Sequence, residues 1–168
     1  MNNTTNQQDK YSELPSYSTP FNIDFFTEKS QGYFNDYMRK FLPLPESIKN
    51  ILTDLSTAVF IEEDLGPNFN LGSDQKAELT RILRDLLFGE IFWGDFSNTV
   101  SARLQVDPDT ADQIVKMIAE QLLTPAIEDI KKTQKEKFPQ KPLETPQPYR
   151  PPVRPNQPQY IPPPLPPR

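Results

Sequence analysis

Carboxylates are the reactive groups this sequence offers in quantity, because it contains neither histidine nor cysteine. That removes zinc sites built on imidazole or thiolate, thiol nucleophiles, disulfides and every Ser-His or Cys-His pair. The acids cluster twice, at Glu62-Glu63-Asp64 and at Asp107, Asp109 and Asp112. Paired carboxylates can bind a hard cation or trade protons. Neither run, however, has the alternating spacing and central glycine of a calcium loop. Asp107 directly precedes Pro108, where an acid caps a helix and Asp109 complements its dipole. No nucleophile–base pair, phosphate loop or metal cluster can be assembled from the rest. The chain is therefore expected not to be an enzyme, with no catalytic residue, no metal and no cofactor.

Recognition is better provided for. The C-terminal run Pro162-Pro163-Pro164-Leu165-Pro166-Pro167-Arg168 has the form of an SH3 ligand. Apolar-plus-proline pairs fill aromatic grooves, the arginine meets an acidic pocket, and a preformed polyproline helix lowers the entropy cost of docking. Pro163, Leu165, Pro166 and Arg168 are the expected contact residues, although a spacer or tether explains such a tail as well. Leu14-Pro15-Ser16-Tyr17 is similar to a short WW-domain ligand. Phe92 and Trp93, in a glycine-flanked connection, either fill the core or anchor a partner, as aromatic residues at interfaces do. The stretch from Phe96 to Ile118 has the outline of a helix-turn-helix. Its second helix carries Asp109, Asp112 and Glu120 against Lys116, a face that repels phosphates. A nucleic-acid-associated regulator is thus the alternative reading, with no nucleic acid expected as partner.

Those residues must be held by helices. Phe21, Phe25, Tyr33, Phe34, Tyr37 and Phe41 recur at three- and four-residue spacings, with Gly32 as a divider. An aromatic face of this kind docks on its own domain or binds a partner, and docking is favoured because exposed aromatic patches are uncommon on monomers. After Pro43-Leu44-Pro45, Ile48, Ile51, Leu52 and Leu55 follow an amphipathic helical pattern. Thr57–Leu65 reads as a short helix ended by Gly66-Pro67. Ser73 caps a helix whose apolar face is Leu79, Ile82, Leu83, Leu86 and Leu87, with Gly89 as its left-handed stop. Asp95 caps the next, marked by Phe96, Val100 and Leu104. From Asp107, a further helix carries Ala111, Ile114, Val115, Ile118, Leu122 and Leu123. At Pro125 it kinks, or it stops and restarts with Thr124 as cap. Ile127 and Ile130 continue the stripe into the polar run Lys131–Lys137. The expected core is Ile48, Ile51, Leu52, Leu55, Leu79, Ile82, Leu83, Leu86, Leu87, Val100, Leu104, Ile114, Val115, Ile118 and Leu122.

After Phe138 the composition breaks. Residues 139–168 hold 13 prolines, no glycine and a net charge of +3, leaving −8 for residues 1–138. Such a tail cannot bury a core and favours polyproline II. The proline excess also accounts for a hydrophobic fraction of only 35%, a deficit that is local. The longest apolar stretch, around Leu86–Gly94, is interrupted by Glu90 and is too short to span a bilayer. The opening MNNTTNQQDK is polar where a secretory signal is basic and then apolar. A cytoplasmic location is the expectation.

The Leu44-Pro45 entry, the LTDLSTA stretch at Leu52–Ala58, LLFG at Leu86–Gly89, the ARLQVDPDTADQI turn and the LLTPAIEDIKK end form a set. In these, residues 44–134 resemble short all-helical proteins with proline-rich tails predicted from genomes of uncultured candidate-phyla bacteria. The resemblance implies an all-helical fold; it implies no activity and transfers no functional residues. A bacterial source also weighs against an SH3 partner. The sequence thus predicts an all-α fold, a small irregular bundle of about five short helices. A disordered leader spans 1–20, an aromatic docking segment 21–42, the helical domain 43–138 and a proline-rich disordered tail 139–168. The expected role is a non-catalytic protein-interaction or scaffold module, with a homodimer as one option, whose tail is a tether or ligand.

Overall fold

A computed structural model describes residues 17–25 and 31–141. Pro163, Leu165, Pro166, Arg168 and Leu14–Ser16, expected above as ligand residues, lie outside the described residues. Among those described, every regular element is helical and no strand forms.

Helix α1 (Gln31–Phe41) follows the N-terminal arm, residues 17–25. Gly32 falls inside its first turn, so it does not divide two helices as the spacing suggested. Helix α2 (Glu46–Thr53) buries Ile48, Ile51 and Leu52. It ends at Asp54, whose extended backbone breaks the helix and whose carboxylate accepts the Ser56 N–H at 2.8 Å to start α3 (Leu55–Val59). The break turns Leu55 outward, 47% exposed. Leu55 is therefore a surface residue, contrary to the continuous stripe read from the sequence.

α3 does not stop at Gly66-Pro67. It widens into a π-helical segment, Phe60–Leu65, and closes in one further helical turn, Gly66–Asn68. Burial explains the widening. Phe60 and Leu65 are both buried, yet five residues apart on an ordinary helix they would point roughly 140° away from each other. A five-residue turn brings them to one side, and Gly66 N–H accordingly bonds back to Ile61 O.

Helix α4 (Ser73–Leu87) is the central element, with Leu79, Ile82, Leu83, Leu86 and Leu87 buried as expected. Gly72, not Ser73, is its N-cap, and Gln75 Oε1 accepts the Gly72 N–H at 2.9 Å. At the other end Gly89 takes φ +68°. Glu90 N–H reaches Asp85 O (2.8 Å) and Gly89 N–H reaches Leu86 O (3.0 Å), the paired bonds of a Schellman stop.

A tight turn, Trp93–Asp95, leads into α5 (Phe96–Leu104), whose Phe96, Val100 and Leu104 are buried. Asp95 stands at the cap position but caps nothing; its carboxylate turns to Lys141 at 2.7 Å. Helix α6 (Pro108–Ile118) begins as the sequence demanded, with Asp107 accepting the Thr110 N–H at 2.9 Å and the Thr110 hydroxyl at 2.6 Å. These bonds hold the Asp107 carboxyl below its ordinary pKa. Ile118 and Leu123 repeat the five-residue problem. A second wide segment, Ala119–Leu123, buries both, while Val115 and Leu122 are only half-buried. Pro125 is taken up in a tight turn, Thr124–Ala126. Thr124 is not the forward cap: its hydroxyl donates backwards to Ala119 O and Glu120 O (3.1 and 2.8 Å), covering carbonyls near the proline. Helix α7 (Ile127–Lys137) then runs through the polar run Lys131–Lys137, whose lysines stay exposed.

Candidate functional site

The acidic runs resolve into structural contacts. Glu62 pairs with Lys76, and Glu63 accepts the Tyr17 hydroxyl at 3.1 Å. Asp112 accepts the Ser97 hydroxyl across the α5–α6 hairpin. Among the described residues no group of three or more acids is gathered as a metal site, and no helix is long and apolar enough to cross a membrane.

Phe92 and Trp93 lie half-buried at one corner of the body. The Phe92 ring packs edge-on against Phe138, centroids 5.4 Å apart, and Lys141 Nζ sits 4.8 Å over it. Gly94 makes this possible, since a Cβ there would stand 2.7 Å from the Phe92 ring. Trp93 leans on Phe96 at 6.0 Å. Packed order therefore reaches Lys141, three residues into the stretch read as tail.

Beneath this corner lies a residue the sequence reading passed over. Gln134, in the polar run of α7, is 1% exposed. Its Oε1 accepts the Trp93 N–H at 2.9 Å, and its Nε2 donates to Ile91 O at 3.0 Å and Leu86 O at 3.5 Å. One amide thus supplies partners to two backbone groups of the connection, the Trp93 N–H and the Ile91 carbonyl. The available signal was its position four residues after Ile130, on the buried face.

The densest polar arrangement is also one the sequence reading missed. Asp24, in the arm, accepts from Arg81 Nε at 2.9 Å and from Arg84 on α4. Arg84 also meets Asp85 at 3.1 Å, and Arg81 meets Glu78 at 3.3 Å. Arg103, from α5, bonds Glu78 at 2.6 Å and Asp85 at 3.0 Å. Three guanidinium groups and three carboxylates thereby close one network across three elements. Its inner pair is well covered, Asp24 at 13% and Arg84 at 14% side-chain exposure. Burial alone would raise the Asp24 pKa, but the bonds and charges of Arg84 and Arg81 outweigh it and bring it below its ordinary value. Arg84 is raised in turn: burial works against its charge, and Asp24 and Asp85 more than restore it. Groups so paired keep their charges and hold geometry rather than trading protons.

Around Asp24 the arm completes its seat. Residues 19–25 form a turn in which Asn22 and Ile23 N–H both bond Thr19 O at 3.1 Å. The turn puts Phe21, Asp24 and Phe25 toward the body. Phe21 N–H bonds Leu52 O at 2.9 Å, and its ring meets Phe41 at 4.7 Å and Tyr37 at 5.4 Å. Tyr37, buried between the arm and the body, stacks edge-on with Phe88 at 5.0 Å; burial drives its phenol well above the ordinary value. Lys40 pairs with Glu90. The described part of the aromatic segment is therefore docked, and among the described residues packing reaches back to Tyr17: Thr19 and Pro20 are buried within the stretch read as leader.

The described residues define an all-helical fold built around α4 and strapped by its own N-terminal segment. A scan of family models, a search of the curated proteins and a search of the solved structures each return no match for this chain.

Proposed function

We propose that the chain is a non-catalytic protein-interaction or scaffold module, in which a helical body carries a proline-rich tail that acts as tether or ligand. The observation that carries this reading is the composition break at Phe138, after which 13 of 30 residues are proline. Where the break falls supports it further. Phe138 and Lys141 fold back onto Phe92 and Asp95, so the tail leaves from a fixed point beside α7. Pro163, Leu165, Pro166 and Arg168 are the residues assigned to contact a partner, which is a protein with an aromatic-lined groove. Self-association of the body is a second element of the proposal. Leu42, Leu55 and Phe34 remain exposed and give it apolar surface, and sedimentation velocity reads it directly.

The deciding experiment is affinity capture with three baits: the full chain, an Arg168→Ala variant, and a chain ending at Lys141. The proposal expects a set of proteins retained by the full chain, reduced by Arg168→Ala and lost from the truncated bait. Recovery of the same proteins by all three would confine binding to the helical body and remove the tail from the account.

A further inference from the structure

We infer that the face of the body under the N-terminal arm is an exchangeable docking site for a short acidic–aromatic peptide segment. In this chain the arm itself, residues 17–25, occupies that site as a built-in ligand. The inference shares with the proposed function only the premise that the chain binds protein; it makes no use of the tail.

Three observations carry it. The first is charge complementarity. Arg81 and Arg84 project from α4 together, and the arm brings one carboxylate, Asp24, that bonds both. Lifting the arm removes that carboxylate from two part-buried guanidinium groups, leaving a site that favours another carboxylate at the same place. The second is the shape of the occupant. A turn closed on Thr19 O places Phe21, Asp24 and Phe25 as two aromatic anchors flanking one acid. These meet a backbone acceptor at Leu52 O and an aromatic wall that includes Tyr37 and Phe41. Anchors, a central charge and one backbone bond are the features by which short peptides are recognised.

The third observation separates this contact from ordinary core packing. The arm is imperfectly satisfied: Asn22 Oδ1 is buried with no hydrogen-bond partner among the described residues. A buried acceptor left unpaired opposes docking, so the arm is held less tightly than its other contacts allow. A segment with the same two aromatics and acid, but an apolar residue at the position of Asn22, would seat without that cost. Competition between cis and trans occupants follows from mass action.

The test uses full-length protein and a fluorescein-labelled peptide of the sequence YSTPFNIDF, residues 17–25, read by fluorescence anisotropy at low salt. The wild-type chain, its site filled, should bind the peptide weakly. Asp24→Asn should tighten binding, and Asp24→Lys, which sets a cation against Arg81 and Arg84, should tighten it at least about ten-fold. Adding Arg84→Glu to Asp24→Lys should abolish the gain. Asn22→Ala in the full chain should seat the arm better and bind the peptide more weakly than wild type. A control peptide with lysine in place of the aspartate should bind none of them. The inference fails if neither Asp24 variant, folded by circular dichroism, binds more tightly than wild type. It fails equally if all variants bind both peptides alike. Neither failure bears on capture by the tail.

Discussion

Gln134 carries a large structural consequence for one side chain, because two backbone groups of the α4–α5 connection, the Trp93 N–H and the Ile91 carbonyl, bond to its amide. Gln134→Met keeps the volume and removes the bonds, leaving the part-buried Trp93 N–H and Ile91 carbonyl without these partners. A fully buried group of this kind costs about 1–3 kcal/mol and a part-buried one less, so the variant should lose about 1–2 kcal/mol in urea unfolding with an unchanged m-value. Asp24 governs a different property, dependence on pH. Its folded pKa is lowered, so its contribution is complete above the unfolded value of 3.8 and fades as pH falls through the lower folded one. Acidification below about pH 4 should therefore release the arm ahead of the body. The Phe21 amide, bonded to Leu52 O, should lose protection from hydrogen exchange in that range while Leu83 keeps its own. In Asp24→Asn the Phe21 amide should lose this acid sensitivity. If its protection in the wild type follows the global unfolding curve at every pH, arm and body are one unit.

Elements in this molecule are shaped by where buried residues fall relative to the helical turn. Gly89 shows how tight one junction is. Its φ of +68° is strained for any residue with a side chain, and an added Cβ would stand 2.9 Å from Lys137 Cγ on α7. Gly89→Ala should cost about 1–2 kcal/mol by thermal or chemical unfolding. Apolar spacing made α4, α5 and α6 legible in the sequence, because each buries one regular stripe. The same spacing failed at Leu55, where the Asp54 cap resets the helix, and at Phe60–Leu65 and Ala119–Leu123, where two buried residues stand five apart. Periods of 3.6 cannot express a widened turn. Gln134 was hidden because a polar residue among lysines reads as solvated. The arm network was hidden because Asp24 finds Arg81 and Arg84 at separations of 57 and 60 residues. A lone acid set among aromatics, as in Phe21–Phe26, was the one clue.

For the whole molecule, packing among the described residues extends three positions past the composition break at Phe138. Lys141 bonds Asp95 and covers the rings of Phe92 and Phe138, whereas the proline run follows it. A chain ending at Lys141 should unfold at the same temperature as the full chain. One ending at Gln140 should lose at most about 1 kcal/mol, since ion pairs and cation–π contacts this exposed contribute little. A loss clearly above about 1 kcal/mol in the form ending at Gln140 would contradict this weighting of the Lys141 contacts. The connection between α4 and α5 carries one more consequence. A single carboxamide reaches both Ile91 O and Trp93 N–H only at the present chain length, so variants of this protein can exchange exposed side chains between residues 90 and 95, Gly94 excepted, more readily than they can gain or lose a residue there. Insertion scanning should find that six-residue window the least forgiving loop on the molecule.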